Sequence, residues 1–195
     1  MIRVFDLLFA VLAVFFFAPF FSIIALYLKV VESSRIFFKQ IRVGENFKYF
    51  EIIKFTTMID GSENKGSGLI TLEHDKRVLK SGKFFRKYKI NELPQLFNVI
   101  SGNMSLVGPR PLPSSLVEMN KLMFKKSCLV KPGMSGAASL ILRNEEDILS
   151  KQKDPHSFYI KRILPYKIYL DEWWVENKNL KNYFKIILLT VKGIF

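Results

Sequence analysis

A chain of 195 residues with 30 Lys and Arg against 17 Asp and Glu, a net charge of +13 and 49% hydrophobic residues has the length for one domain, or one domain with an appendage. Its apolar content, 19 Phe among it, can fill a core and excludes a largely disordered chain. The lone Cys128 excludes a disulfide framework and reads as a small thiol in a reducing compartment; His74 and His156 alone exclude a His-rich metal site. Such a basic, apolar chain should meet anionic partners: nucleic acid, a lipid surface or phosphorylated substrates.

Residues 7–28 carry no charged side chain. As one straight helix they would reach roughly 33 Å at ~1.5 Å per residue, enough to cross a hydrocarbon core of ~30 Å. Three readings compete. A cleaved secretory signal would use Arg3 as its basic region, but the run is long and no small-residue cleavage site follows it. An ordinary single span tolerates Pro19. A re-entrant hairpin would break at Pro19 into arms 7–18 and 20–28, each too short to cross. Arg3 before the run and Lys29, Arg35, Lys39 and Arg42 after it leave neither flank poor in positive charge, which favours the hairpin. Sequence physics leaves the span and the hairpin both open.

Downstream, residues 35–42 and 47–55 alternate as strands do, and Val43-Gly44-Glu45-Asn46 supplies the turn of a β-hairpin. Residues 61–68 read as a flexible loop, and residues 75–79 as the start of a helix that ends near Ser81-Gly82. Leu93, Leu96, Phe97 and Ile100 predict a helix from about Glu92 to Ser101-Gly102, with Asn91 as N-cap and Pro94 in the first turn. Glu92, preceded by Arg86, Lys87 and Lys89, could bind an anion or a metal-bridged phosphate at that helix start. The same residues also read as a capped amphipathic helix with a solvated acidic turn. In Gly108-Pro109-Arg110-Pro111 the prolines hold the backbone extended and present the guanidinium for a bidentate phosphate contact; alone, the segment would read as a rigid surface turn.

Residues 132–136 have the composition of a tight turn. Residues 161–174 and 180–195 mix Lys with aromatic and aliphatic side chains. They read as helices in the headgroup region, lysines snorkelling and Tyr166, Tyr169, Trp173 and Trp174 at the boundary, or as core helices. The dispersed lysines and the lack of a basic recognition helix speak against nucleic acid.

Three segments, FFKQIRVGENFKYFEIIKFTTM (37–58), DKRVLKSGKFFRKYKINELPQLFNVISGNMSLVGPRP (75–111) and VKPGMSGAASL (130–140), together resemble the bacterial sugar transferase family, the small monotopic phosphoglycosyl transferases. The resemblance implies a helix-rich α/β (α+β) fold. A re-entrant membrane helix, broken at Pro19, would occupy residues 1–30, and a cytosolic and interfacial catalytic domain with a short β-hairpin and amphipathic helices residues 31–195. It implies transfer of a sugar 1-phosphate from a UDP-sugar to polyprenyl (undecaprenyl) phosphate with release of UMP. That is the first membrane step of surface polysaccharide or glycoprotein glycan assembly, at the cytosolic face of the bacterial inner membrane. Mg²⁺ at Glu92, substrate contacts from Lys54, Arg86, Pro109 and Arg110, and inner-leaflet phospholipids around the protein are implied likewise. Downstream glycosyltransferases or a second copy are further implied partners; nucleic acid is not.

The chain departs from the family where its Asp-Glu dyad is expected. Asn91 stands before Glu92, and an amide is neither a carboxylate nucleophile nor an anionic metal ligand. Glu92 as nucleophile, direct transfer between the phosphates, an engineered asparagine and lost activity all remain open. The preferred expectation is a working enzyme in which Glu92 carries the chemistry, and the alternative a non-catalytic membrane scaffold. Lys54 opens a segment, 54–58, where the family often has an arginine, and Ala18 precedes Pro19 where the family has serine.

Overall fold

In the computed structural model, which describes residues 1–62 and 75–194, the N-terminal apolar run forms one helix, α1 (Ile2–Val30), with Pro19 inside it. It is roughly 43 Å long at ~1.5 Å per residue, and among the described residues it is the one helix long and apolar enough to cross a membrane. The expected division into two arms does not appear as an interruption of the helix. Pro19 withdraws one N–H from the ladder, and the Ser22 hydroxyl donates to the Ala18 carbonyl at 3.1 Å in the same turn. The helix thus continues past one missing backbone hydrogen bond, as apolar helices with an internal proline do.

One stripe of α1 packs against the rest of the chain. Arg3, Asp6, Ala10, Ala13, Val14, Phe21, Ile24 and Leu28 recur at three- and four-residue spacings and face the body, while Val4, Phe15, Phe16, Ile23 and Leu26 on other sides are exposed. Near the helix start, the Arg3 guanidinium donates to the Val99 and Ile100 carbonyls at 2.6 and 3.1 Å. One turn on, Asp6 is 2% exposed. Its carboxylate accepts from the Ser105 hydroxyl (3.0 Å), the Leu106 N–H (2.9 Å) and the Tyr183 hydroxyl (2.8 Å). Burial and the Asp6 contact push the Tyr183 phenol up, so it remains a donor. At the far end Ile24 and Leu28 pack on Phe55 and Phe85.

The hairpin forms as expected. Strands β1 (Phe37–Val43) and β2 (Tyr49–Phe55) are antiparallel with Phe38 opposite Lys54, Gln40 opposite Ile52 and Arg42 opposite Phe50. A 3-10 turn, Glu45–Phe47, joins them, with Asn46 and Phe47 at positive φ. The loop expected at 61–68 falls largely outside the described residues. The next helix, α2, spans Lys80–Lys87, so Ser81-Gly82 lies inside it instead of ending it. A Cβ on Gly82 would come within 2.3 Å of the Thr57 carbonyl; the glycine serves close packing, not helix termination.

A short helix α3 (Gln95–Ile100) and strand β3 (Ser105–Val107) follow, then α4 (Ser114–Met119) and β4 (Gly133–Ser135). The segment expected as a tight turn at 132–136 is thus a strand, parallel to β3 with Ser105 opposite Gly133. Here backbones nearly touch: a Cβ on Gly133 would lie 2.0 Å from the Gly108 nitrogen. The remaining helices are α5 (Ala137–Ile141), α6 (Glu145–Ser150), α7 (Pro155–Phe158), α8 (Leu164–Glu176) and α9 (Leu180–Ile194), with a π-helical turn, Tyr159–Ile163, leading into α8.

Each C-terminal helix packs one face on the body and leaves apolar side chains exposed on the other. Helix α8 buries Leu164, Ile168, Leu170 and Trp174 and exposes Tyr166, Tyr169 and Trp173; α9 buries Tyr183 and Ile186 and exposes Phe184, Leu188 and Val191. Trp174 is therefore a core residue, not a boundary one. Lys167 does not snorkel either, since it is buried and paired with Glu145.

The Asp6 carboxylate binds α1, β3 and α9 together. Tyr183→Phe is expected to destabilise the fold by about 2 kcal/mol, the worth of one hydrogen bond to a charge. Asp6→Ala, which strands three donors, is expected to cost more, about 3–5 kcal/mol. Equilibrium denaturation in detergent micelles measures both, and wild-type stability in the two variants would show that the carboxylate does not hold these segments.

Candidate active site

The site is assembled from three separate segments. On the inner face of the hairpin, Lys54 follows Ile52 at the two-residue period of a strand. Glu92 ends a 3-10 turn, Ile90–Glu92, that Lys89 initiates from a left-handed conformation (φ 57°). Arg110 lies in the segment after β3. That segment is pinned on both sides: the Gly108 N–H donates to Ser135, the Gly133 N–H to Pro109, and the Val43 N–H to Leu112. A Cβ on Gly108 would come within 2.5 Å of the Lys131 carbonyl, so the glycine is required for Arg110 to be presented where it is.

These segments converge on one oxygen. Lys54 Nζ lies 2.7 Å and Arg110 Nη2 2.9 Å from Glu92 Oε1, and the Glu92 and Lys54 side chains are only 12% and 16% exposed. Burial alone would raise the Glu92 carboxyl, but the charges of Arg110, Lys54 and Lys89 outweigh it and hold the group well below the ordinary carboxylate range. Glu92 is thus ionised throughout the neutral range. For Lys54, burial and the neighbouring Arg110 and Arg42 charges overcome the attraction of Glu92 and lower the ammonium to about 8.

The two residues of the expected dyad differ in their surroundings. Asn91 is not the N-cap of the helix, because the chain makes a 3-10 turn there and α3 begins only at Gln95, behind Pro94. Asn91 is instead 6% exposed, and its side-chain oxygen has no hydrogen-bond partner. An acceptor buried without a donor suits a cation. Among the described residues no cluster of three or more His, Cys, Asp or Glu could hold a metal, so an ion beside Glu92 and the Asn91 amide oxygen would have to take most of its ligands from elsewhere.

Of the other expected residues, Pro109 lines a crevice behind Arg110, and Arg86 does not join the Glu92 cluster: its guanidinium pairs with Glu146 of α6. The structure adds residues that the sequence reading passed over. Arg42, Gln95 and Ile52 line a crevice with Lys54, Arg110 and Pro111. Arg42 had a signal, since strand alternation puts it on the face of Lys54; Gln95 had one too, one helical turn beyond Glu92. Asp171 faces Arg110 from α8 and lines the rear crevice; burial pushes its carboxyl up to about 7 against the pull of Lys167 and Arg110. No spacing in the sequence links α8 to Arg110. Cys128, in the same crevice, has its thiol pushed up to about 11 by burial and is unreactive at neutral pH.

The family model described as bacterial sugar transferase matches residues 1–195. An uncharacterized sugar transferase of Bacillus subtilis, EpsL, is 36% identical over 174 residues, covering 89% of this chain and 76% of that protein. A UDP-N-acetylgalactosamine-undecaprenyl-phosphate N-acetylgalactosaminephosphotransferase of Aeromonas hydrophila is 36% identical over 172 residues, 85% of this chain and 40% of the relative. A UDP-glucose:undecaprenyl-phosphate glucose-1-phosphate transferase of Klebsiella pneumoniae is 33% identical over 193 residues, 97% of this chain and 39% of the relative. The chain thus spans about two fifths of these two longer relatives. With its full length matched and the Glu92, Lys54 and Arg110 side chains brought to one point, the chain belongs to the bacterial sugar transferase family.

Proposed function

We propose that the protein transfers a sugar 1-phosphate from a UDP-sugar to polyprenyl phosphate, releasing UMP, at the cytosolic face of the bacterial inner membrane. The observation that carries this reading is the buried Glu92 carboxylate held between Lys54 and Arg110. It is an anion kept ready by two cations that can turn to phosphoryl oxygens. The activities for which the Aeromonas and Klebsiella relatives are named support the substrate classes.

In this reading a Glu92 oxygen attacks the sugar-bearing phosphorus. The bond to the bridging oxygen breaks, and UMP leaves with that oxygen. A polyprenyl phosphate oxygen then attacks the same phosphorus and returns Glu92 as carboxylate. Lys54 and Arg110 neutralise the charge spread over the phosphoryl oxygens as bonds form and break. Bound Mg²⁺ would supply further neutralisation of the diphosphate at Glu92 and the Asn91 amide oxygen. Arg86 and Pro109 belong to the outer substrate contacts.

The membrane placement is monotopic in this proposal, with residues 1–30 as the membrane element and residues 31–195 as the catalytic body. Both ends of α1 touch one body, at Arg3 and Asp6 and again at Leu28. A helix standing upright across a bilayer could contact a cytosolic domain only at one end. The exposed aromatic and aliphatic side chains of α1, with Phe184 of α9 against Phe5 (5.1 Å between ring centroids), would face inner-leaflet lipid. A second reading, a non-catalytic scaffold that engages glycosyltransferases or another copy of itself, is kept by Asn91 alone.

UMP release from a panel of UDP-sugars with polyprenyl phosphate and Mg²⁺ tests the proposal. The protein is expected to turn over, and Glu92→Gln to lose at least about 10³-fold in kcat, as removal of a nucleophile does. Turnover only in Asn91→Asp would transfer the nucleophile to that position, and silence across the panel would favour the scaffold. The pH profile gives a separate test. Protonated Lys54 is the form that attracts phosphate, so kcat/KM for the UDP-sugar is expected to fall as pH rises through about 8. Lys54→Arg, charged throughout, is expected to abolish that alkaline limb, and a limb persisting in the variant would remove Lys54 from substrate binding.

A further inference from the structure

Among the described residues the Arg42 guanidinium pairs directly with no carboxylate, and Glu92 acts on it only through its field. Its guanidinium donates to two neutral acceptors, the Pro111 carbonyl at 3.1 Å and the Gln40 side-chain oxygen, while its Nε is buried with no partner. Gln95, 2% exposed, likewise has its Nε2 buried and unpartnered. Both residues line one crevice with Lys54 and Arg110. Three cations therefore surround a single carboxylate, Glu92, and the buried Arg42 Nε and Gln95 Nε2 donors beside it lack acceptors. Buried donors without acceptors destabilise a fold, and adjacent like charges do so again. A sugar hydroxyl would satisfy one donor but no charge. An oxyanion carrying two or more charges satisfies both deficits.

We propose that this crevice is a seat for a phosphoryl oxyanion in which Arg42 Nε and Gln95 Nε2 are binding donors, acting with Lys54 and Arg110. The identity of the anion, the diphosphate of a UDP-sugar or the phosphate monoester of a polyprenyl phosphate, rests on the transferase reading; the seat itself rests on the unpaired donors. The protein spends the two terminal nitrogens of Arg42 on Pro111 and Gln40, so the guanidinium plane is fixed before ligand arrives. A fixed donor loses little freedom on binding. Lysine could not reproduce the arrangement, because a point charge lacks the planar fork that anchors one edge and presents the other. Pairing across β1 and β2 makes the seat stiff. Arg42 and Lys54 lie on one face of the ribbon, flanking Ile52, and the Arg42–Pro113 bridge ties the ribbon to the Arg110 segment.

The seat is tested by calorimetric titration of the full-length protein in lipid nanodiscs with inorganic pyrophosphate and with UDP, alongside steady-state kinetics on the same preparations. Gln95→Met keeps the volume and removes the donor, and Arg42→Lys keeps the charge and removes the fork. Each is expected to weaken pyrophosphate binding about tenfold, the worth of a charge-assisted hydrogen bond, with the melting temperature of the ligand-free Gln95→Met protein unchanged or raised. Unaltered pyrophosphate and UDP affinity in both variants would overturn the proposal. A rise confined to KM for the UDP-sugar assigns the seat to the donor diphosphate, and one confined to KM for polyprenyl phosphate assigns it to the acceptor. Binding lost in the variants of a protein that never releases UMP would leave the seat standing and remove the transferase reading. Turnover with both KM values unaltered would do the reverse.

Discussion

A carboxylate placed one turn into a helix of Phe, Leu and Val has to find its hydrogen-bond donors in protein, because neither lipid nor an apolar core offers any. Asp6 finds three, on β3 and α9. That single requirement fixes how α1 is rotated, which stripe it turns inward and how far along the body it lies. Arg3, one turn earlier, adds the C-terminal carbonyls of α3. The segments gripped in this way lead into the candidate site: α3 continues directly from the Glu92 turn, and β3 runs directly into Gly108-Pro109-Arg110.

The site itself is a charge-balance problem. Glu92, Lys54 and Arg110 form a buried triad in which one anion answers two cations, and Arg42 adds a third cation. Such a cluster is stabilised by pairing but keeps a net positive charge, which suits it to an anion. Behind it, Asp171 and the Lys167–Glu145 pair supply a second layer around the Arg110 segment. The π-helical turn before α8 brings Tyr159 into the same neighbourhood, where the Lys167 ammonium sits 5.2 Å from its ring centre; irregular turns of this type often mark functional walls.

Local patterns announced themselves in the sequence, and contacts at long range did not. The hairpin was legible because alternation and a Gly-Glu-Asn turn act over few residues, and Glu92 and Arg110 because acidic and proline-flanked side chains are conspicuous. Their meeting was carried by family resemblance, since no periodicity brings residue 92 to residues 54 and 110. The glycines at 82 and 133 misled for one reason: each lies so close to a neighbouring backbone that a Cβ would come within 2.5 Å of it, and sequence composition cannot separate close approach from a stop or turn. Pro19 likewise signalled a break where the helix continues. Asp6 sat just before the charge-free run and drew no attention, although an acid beside such a run needs a partner.

The docking of α1 also changes what the N-terminal segment is. Were it a leash, removing it would leave a soluble enzyme. Here its removal would leave the Val99 and Ile100 carbonyls, the Ser105 hydroxyl, the Leu106 amide and the Tyr183 phenol without their partners, and would open the Ile52, Leu96, Val99 and Met104 cluster to water. The apolar N-terminal helix and the body share one set of walls, so cutting the chain after α1 would strip the body of part of its core as well as of its apolar helix.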